Sequence, residues 1–254
     1  AVLAARLPEP LAPLARLAYN YRWSWTPDGA ATFAAVDPHR WERVKASPLR
    51  LLREVSAARL AGGAADRDIV RRVEALVAAV DADLARGPGP GDPEHPVAFL
   101  CAEFGVHGSL PIYSGGLGVL AGDIVKEASD LALPMVGVGL LYRTGYFHQR
   151  IDTSGMQHEY WIESDPAALA CVPVTEETTG EPLTVTVPIG EEDVHVQVWR
   201  ADVGRVPLYL LDTDRRDNSL VGRWITSRLY EGSRAIRLAQ YAVLGVGGIR
   251  VLRA

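Results

Sequence analysis

Gly115, Gly116 and Gly118 stand directly ahead of a stretch with helical periodicity, a placement that favours anions. Without Cβ atoms the backbone can approach a ligand closely. The unsatisfied N–H groups of a helix start, together with the helix dipole, attract phosphate oxygens. A plain tight turn fits the same glycines, because no Lys-Ser/Thr follows as in a P-loop and no strict G-x-G-x-x-G spacing is present. Other chemistry is sparse. Basic charge is almost wholly arginine, so Schiff-base chemistry has two candidates, Lys45 and Lys126. Lys126 falls on the helix after the glycines, where a solvated or helix-capping charge is the plainer reading, and Lys45 is plainer still. His148, and His158 with Glu159, lack the i, i+4 spacing of a helical metal pair, so no metal is expected. Arg143, Arg150 and Asp152 suit ordinary strand-edge charges as well as a cleft.

The elements that must position these residues are legible from periodicity. Residues 11–84 read as helical, most clearly at 66–84, where Ile69, Val70, Val73, Leu76, Val77, Val80 and Leu84 recur at helical spacing. Trp23, Trp25 and Trp41 could stack on sugars, but beside apolar residues in a helical segment they are assigned to packing. Gly87-Pro-Gly-Pro-Gly-Asp-Pro-Glu-His-Pro cannot continue a helix, and it divides a helical region, 1–90, from residues 91–254. Val97-Ala-Phe-Leu-Cys-Ala is a continuous apolar run, as expected of a strand buried on both faces. A helix over 119–131 and a second buried strand from Pro134 complete a βαβ-like unit, hence an α/β sheet. Residues 183–189 and 194–199 alternate at period two around Gly190-Glu-Glu-Asp, an antiparallel hairpin. Residues 206–212 form another strand ending at an Asp, and from Trp224 onward the pattern is mainly helical despite Gly245-Val-Gly-Gly.

Composition bounds the function classes. The chain has 254 residues, 48% hydrophobic, enough for a sizeable core. A net charge of −5 gives no electrostatic reason to expect nucleic acid. Cys101 and Cys171 give neither a disulfide framework nor a paired metal spacing, and a reducing, cytoplasmic setting fits them. No signal peptide is evident, and no apolar run approaches membrane-spanning length, so no membrane association is expected.

Glu103-Phe104, Leu110-Pro-Ile-Tyr-Ser-Gly-Gly-Leu-Gly-Val-Leu-Ala-Gly-Asp123, Ala128-Ser-Asp130 and Tyr142-Arg-Thr-Gly-Tyr-Phe-His-Gln-Arg-Ile-Asp152 together resemble the short-type bacterial α-glucan (glycogen/maltodextrin) phosphorylases. Leu17-Ala-Tyr-Asn-Tyr-Arg-Trp-Ser-Trp-Thr-Pro-Asp28 and residues 198–214 extend the likeness to nearly the whole chain. The resemblance implies part of the N-terminal Rossmann-like lobe of a two-lobed GT-B glycosyltransferase fold, preceded by the helical region, with the β-hairpin as an insertion and the C-terminal cofactor lobe absent. It implies phosphorolysis of α-1,4-glucan to glucose 1-phosphate, with glucan and inorganic phosphate as partners, homodimers as a common state, and the phosphate of pyridoxal phosphate as proton relay. Gly115, Gly116, Leu117 and Gly118 would then line the substrate-phosphate and glucosyl site, Gly116 and Leu117 in the catalytic loop and Gly115, Gly116 and Gly118 around the phosphate. Glu103 would be a neighbour in the same cleft. The family's cofactor lysine lies in a motif ending Ser-Asn-Met-Lys that does not occur here, so this chain alone is expected to be inactive. Glu231-Gly-Ser233 stands where the family usually carries Gly-Gly-Asp. Two other classes compete: a glycogen synthase-like nucleotide-sugar transferase, which carries its Gly-Gly-Leu loop near the N-terminus after a Lys, and a non-catalytic module that binds glucan or a partner.

Overall fold

A computed structural model describes residues 2–230 and 232–254. Short helices fill the first part of the chain. The longest of them there, Arg67–Leu84, starts where Asp66 Oδ1 accepts the N–H groups of Asp68 at 2.8 Å and Ile69 at 3.3 Å, satisfying amides that a helix start otherwise leaves unpaired. It buries Val73, Leu76 and Val80 against Leu11, Leu14, Trp23 and Phe33 in a core drawn entirely from residues 3–80. Trp23 is at its centre, edge-on to Phe33 at 5.4 Å and Trp41 at 6.0 Å. The indoles thus pack as the sequence suggests.

The second core surrounds a mixed sheet. Its strands are β1 (Val97–Leu100), β2 (Met135–Leu140), β5 (Val172–Pro173), β6 (Thr184–Ile189), β7 (Glu192–Val203) and β8 (Val206–Asp212), and a separate two-stranded sheet consists of β3 (His148–Ile151) and β4 (Gln157–Tyr160). The main order is β1-β2-β8-β7-β5, with β6 paired to β7. β1, β2 and β8 are parallel, whereas β7 runs antiparallel to β8, β6 and β5. The helix Gly116–Asp130 links β1 to β2, giving the βαβ unit. Such a curled α/β sheet is compatible with a Rossmann-like lobe. The 183–199 hairpin joins this sheet through β7, which pairs with β8 from Val203–Val206 to Gln197–Asp212.

One strand expectation needs correction. Val97 is 58% exposed and Ala98 is exposed, because β1 is the edge of the sheet and only its second half meets the core. Tyr21 and Trp25 of the helical region pack into the sheet's core, and specific polar bonds add to that packing. Asn20 exchanges two hydrogen bonds of 2.9 Å with the backbone of Gly204. Gly204 turns at φ +62°, and a Cβ there would sit 2.0 Å from Ser129 Oγ. Arg22, from the Trp-rich segment, pairs with Asp83 at 3.0 Å and with Asp130, whose carboxylate also accepts the Trp25 indole N–H at 3.1 Å.

The helix Arg234–Arg253 lies against the sheet, with a π turn at Val243–Gly247. Gly247 and Gly248 let it approach: a Cβ on them would stand 3.0 Å from Leu211 and from Val138 respectively. At 20 residues and mean hydropathy 1.3 it is long and apolar enough, by length and composition, to cross a membrane, which amends the expectation that no run reaches that length. Val243, Leu244 and Val251 are buried in the sheet's core, while Leu238, Tyr241, Val246 and Ile249 on its other side are exposed. Glu231 lies outside the described residues.

Candidate functional site

The helix that carries the glycines begins at Gly116, three residues earlier than periodicity suggests, with Gly115 as its cap in an extended conformation, φ −149°. Gly116, Leu117 and Gly118 therefore form its first turn. The first helical bond runs from Val119 N–H to Gly115 O at 3.1 Å, so the amides of Gly116, Leu117 and Gly118 precede any intrahelical acceptor. Around Gly115 and Gly116 there is open space, since a Cβ on either would meet nothing within 4 Å. Leu117 is 52% exposed. This arrangement offers N–H groups that have no partner among the described residues, and the positive end of a 15-residue helix, to an anion.

Gly118 differs from its neighbours. A Cβ there would lie 2.5 Å from Tyr113 Cβ and 2.9 Å from Glu103 Oε2, and one on Gly122 would lie 2.3 Å from Gly105 O. Gly105 N–H donates to Gly118 O at 2.6 Å. Backbone thus crosses backbone where β1 leads into the helix, and the missing side chains permit it.

Glu103 fixes this crossing. It is 2% exposed; its Oε2 accepts the Ser114 N–H at 2.6 Å and its Oε1 accepts the hydroxyl of Tyr230. That bond pushes the Tyr230 phenol up to about 12, aided by burial and the carboxylate charge. Tyr142, buried with its hydroxyl donating 2.9 Å to Ala102 O, is raised further, by burial first and then by the charge of Glu103. The family resemblance implies Glu103 as a neighbour in the cleft, and in the structure its carboxylate lies beside Gly118; its link to Tyr230 was not legible, since that partner is remote in the chain.

Lys126 is only partly solvated. It is half-buried, 5.6 Å from the Trp25 ring, and burial lowers its pKa against the opposing pull of Asp123. Beside it, His107 packs on Trp23 at 4.8 Å, and its Nδ1 accepts the Ser109 N–H at 3.1 Å, which holds the ring neutral. Burial, then the Lys126 charge, pushes His107 down to about 4. In the unfolded chain it titrates near 6.5. Folding therefore excludes a proton that the unfolded chain binds as pH falls through 6.5, and stability is lost between there and about 4. Moving from pH 7 to pH 5 should cost on the order of 1 kcal/mol from this group after solvent screening, and His107→Gln should flatten that part of the pH profile in denaturant titrations.

A second polar centre lies at the carboxyl end of β8. Asp212, fully buried, accepts from Arg143 at 3.0 Å, Gln197 at 2.8 Å and the Trp199 indole at 3.2 Å. Arg143 also pairs with Asp214 at 3.0 Å. Arg143 is thus a structural anchor, while Arg150 and Asp152 stand on the exposed β3–β4 hairpin, where Asp152 pairs with His158 at 2.7 Å. Among the described residues no group of three or more His, Cys, Asp or Glu is placed to hold a metal.

Residues 7–110 match a family described as "Protein of unknown function (DUF3417)". The chain is 41% identical, over 98% of its length, to the maltodextrin phosphorylase of Thermococcus litoralis and, over the same share, to the glycogen phosphorylase of Mycobacterium tuberculosis. It is 37% identical over 93% of its length to the glycogen phosphorylase of Aquifex aeolicus. The chain spans about 30% of the length of the first two relatives and 34% of the third.

Proposed function

We propose that this chain is the N-terminal segment of an α-1,4-glucan phosphorylase of the GT-B glycosyltransferase type, which cleaves glycogen or maltodextrin with inorganic phosphate to give glucose 1-phosphate. The single observation that carries the reading beyond the relatives' names is the first turn of the Gly116–Asp130 helix, with open space over Gly115 and Gly116 and its amides free of intrahelical acceptors. Those amides would bind and orient phosphate oxygens and oppose charge as it develops during cleavage. Glu103 would hold the turn in place from below, through Ser114.

Pyridoxal phosphate, when bound, supplies a phosphate group for acid–base work next to the attacking phosphate. Neither lysine of this chain fits its covalent attachment: Lys45 is exposed in the helical region, at φ +52°, and Lys126 packs on Trp25. Under this reading the lysine belongs to the remainder of a longer polypeptide, and this chain's own part is binding and orientation. Homodimerisation and a cytoplasmic setting belong to the same reading.

Release of glucose 1-phosphate from maltodextrin tests it, measured on this chain and on the polypeptide extended to the relatives' length, each with pyridoxal phosphate. Turnover by the longer polypeptide alone is the expected result. If the extended protein released no glucose 1-phosphate while folded and loaded with cofactor, the reading would fail.

A further inference from the structure

Beyond the glycine helix, a cavity of about 370 Å³ opens at the carboxyl ends of β2 and β8, between Arg143, Glu163, Asp214, Arg223, Trp224 and Arg228. That volume falls in the range of small-molecule sites, roughly 300–1,000 Å³. Its position is also where open α/β sheets bind ligands, outside the carboxyl ends of parallel strands. The charges on its walls decide what kind of ligand fits. Three guanidiniums line it, but Asp214 is shared by Arg143 at 3.0 Å and Arg223 at 2.6 Å, Asp212 stands behind Arg143 at 3.0 Å, and Glu163 adds a further carboxylate. Positive charge is therefore largely cancelled, which disfavours an anion. What remains is a set of donors and acceptors at close spacing. Beside them stands an aromatic wall: Trp224 lines the cavity and is 62% exposed, an unusual exposure for an indole. An amphipathic ring beside paired charges suits a ligand with apolar C–H faces and a rim of hydroxyls.

We propose that this cavity binds a glucosyl unit of an α-1,4-glucan, as a secondary subsite apart from the glycine helix, with the pyranose face against Trp224 and its hydroxyls shared between the Arg223–Asp214 pair and Glu163. The choice of glucan among neutral polyols rests on the phosphorylase reading above; the choice of a neutral polyhydroxyl ligand rests on the cavity alone.

Maltotriose titrated into the ¹⁵N-tryptophan-labelled 254-residue chain tests the proposal. The Trp224 indole signal, assigned by its loss in Trp224→Ala, should shift saturably, and the other five tryptophans should move little. Trp224→Ala should weaken binding about tenfold, and Glu163→Gln should weaken it less, with the thermal midpoint of each variant unchanged. Inorganic phosphate at matched ionic strength should leave the Trp224 signal in place and should not displace maltotriose. No shift with maltotriose, unchanged affinity in both variants, or displacement by phosphate would each overturn the subsite. Phosphorolysis by the extended polypeptide separates the two ideas. Turnover without maltotriose binding at Trp224 leaves the activity and removes the subsite, and binding without turnover does the reverse.

Discussion

Gly118→Ala should destabilise this chain by about 2 kcal/mol, whereas Gly116→Ala, on the same turn, should be neutral or stabilising by up to roughly 1 kcal/mol. The new methyl at 118 would be 2.5 Å from Tyr113 Cβ and 2.9 Å from the Glu103 carboxylate, distances that force either the loop before the helix or the buried acid to move. At 116 it would meet nothing within 4 Å, and alanine's better helix propensity and lower unfolded-chain entropy then act alone. Urea denaturation of the two variants reads the difference as a midpoint that falls in Gly118→Ala and holds or rises in Gly116→Ala. Equal shifts would show that the crossing of Gly105 over Gly118 and Gly122 is looser than the distances require. In the extended polypeptide the two positions should part again, because Gly116 faces open space at the helix start. A loss of phosphorolysis in Gly116→Ala at unchanged stability would place the ligand there; a loss only in Gly118→Ala would be explained by packing.

The same pair of residues shows what could be read in advance. The βαβ unit was legible because Val97-Ala-Phe-Leu and Met135-Val-Gly-Val-Gly-Leu are continuous apolar runs and the intervening segment has helical spacing. The helix start was not, because glycine's poor propensity argues against Gly116 and Gly118 as helical residues. Tertiary contact reverses that preference: Gly105 N–H binds Gly118 O at 2.6 Å, and only glycine lets the two backbones come so close. The edge position of β1 was hidden for a related reason, since a run of apolar residues says that a strand has a covered face but not how many neighbours it has. The hubs at Glu103 and Asp212 depend on side chains far apart in sequence. Asp212 could be seen as the end of a strand, but its binding to Arg143, across two adjacent parallel strands, follows only once β2 and β8 are paired. The β3–β4 hairpin gave no signal, because His148–Ile151 and Gln157–Tyr160 are wholly exposed and carry no buried alternation.

Glu103→Ala should be the more damaging change, costing on the order of 3 kcal/mol, because it takes the acceptor from the Ser114 N–H and leaves a cavity in a buried site. The Ser114 N–H loses its acceptor beside a side chain that is 2% exposed, and an unpaired buried donor costs about 1–3 kcal/mol, whereas the Tyr230 hydroxyl, on a residue 37% exposed, can turn to water. Glu103→Gln should cost far less, about 1 kcal/mol, since its amide oxygen can still accept from Ser114 and its NH₂ can donate to the Tyr230 oxygen once that hydroxyl rotates. Tyr230→Phe removes one donor and leaves the acid with its Ser114 bond, so a similarly small loss is expected. The cycle built from Tyr230→Phe, Glu103→Gln and the double variant isolates the bond between them, and a coupling below about 0.5 kcal/mol would mean that Tyr230 merely rests on the acid. Hydrogen exchange gives the consequence for the site. If Glu103 holds the turn through Ser114, then Glu103→Ala should deprotect the Ser114 amide and raise exchange at Gly105 and Val119, whose N–H groups bond to Gly118 O and Gly115 O, while the Arg67–Leu84 helix, in a separate core, keeps its protection. Uniform loss across both cores would instead make Glu103 a general support of the fold, with no particular hold on the glycine turn.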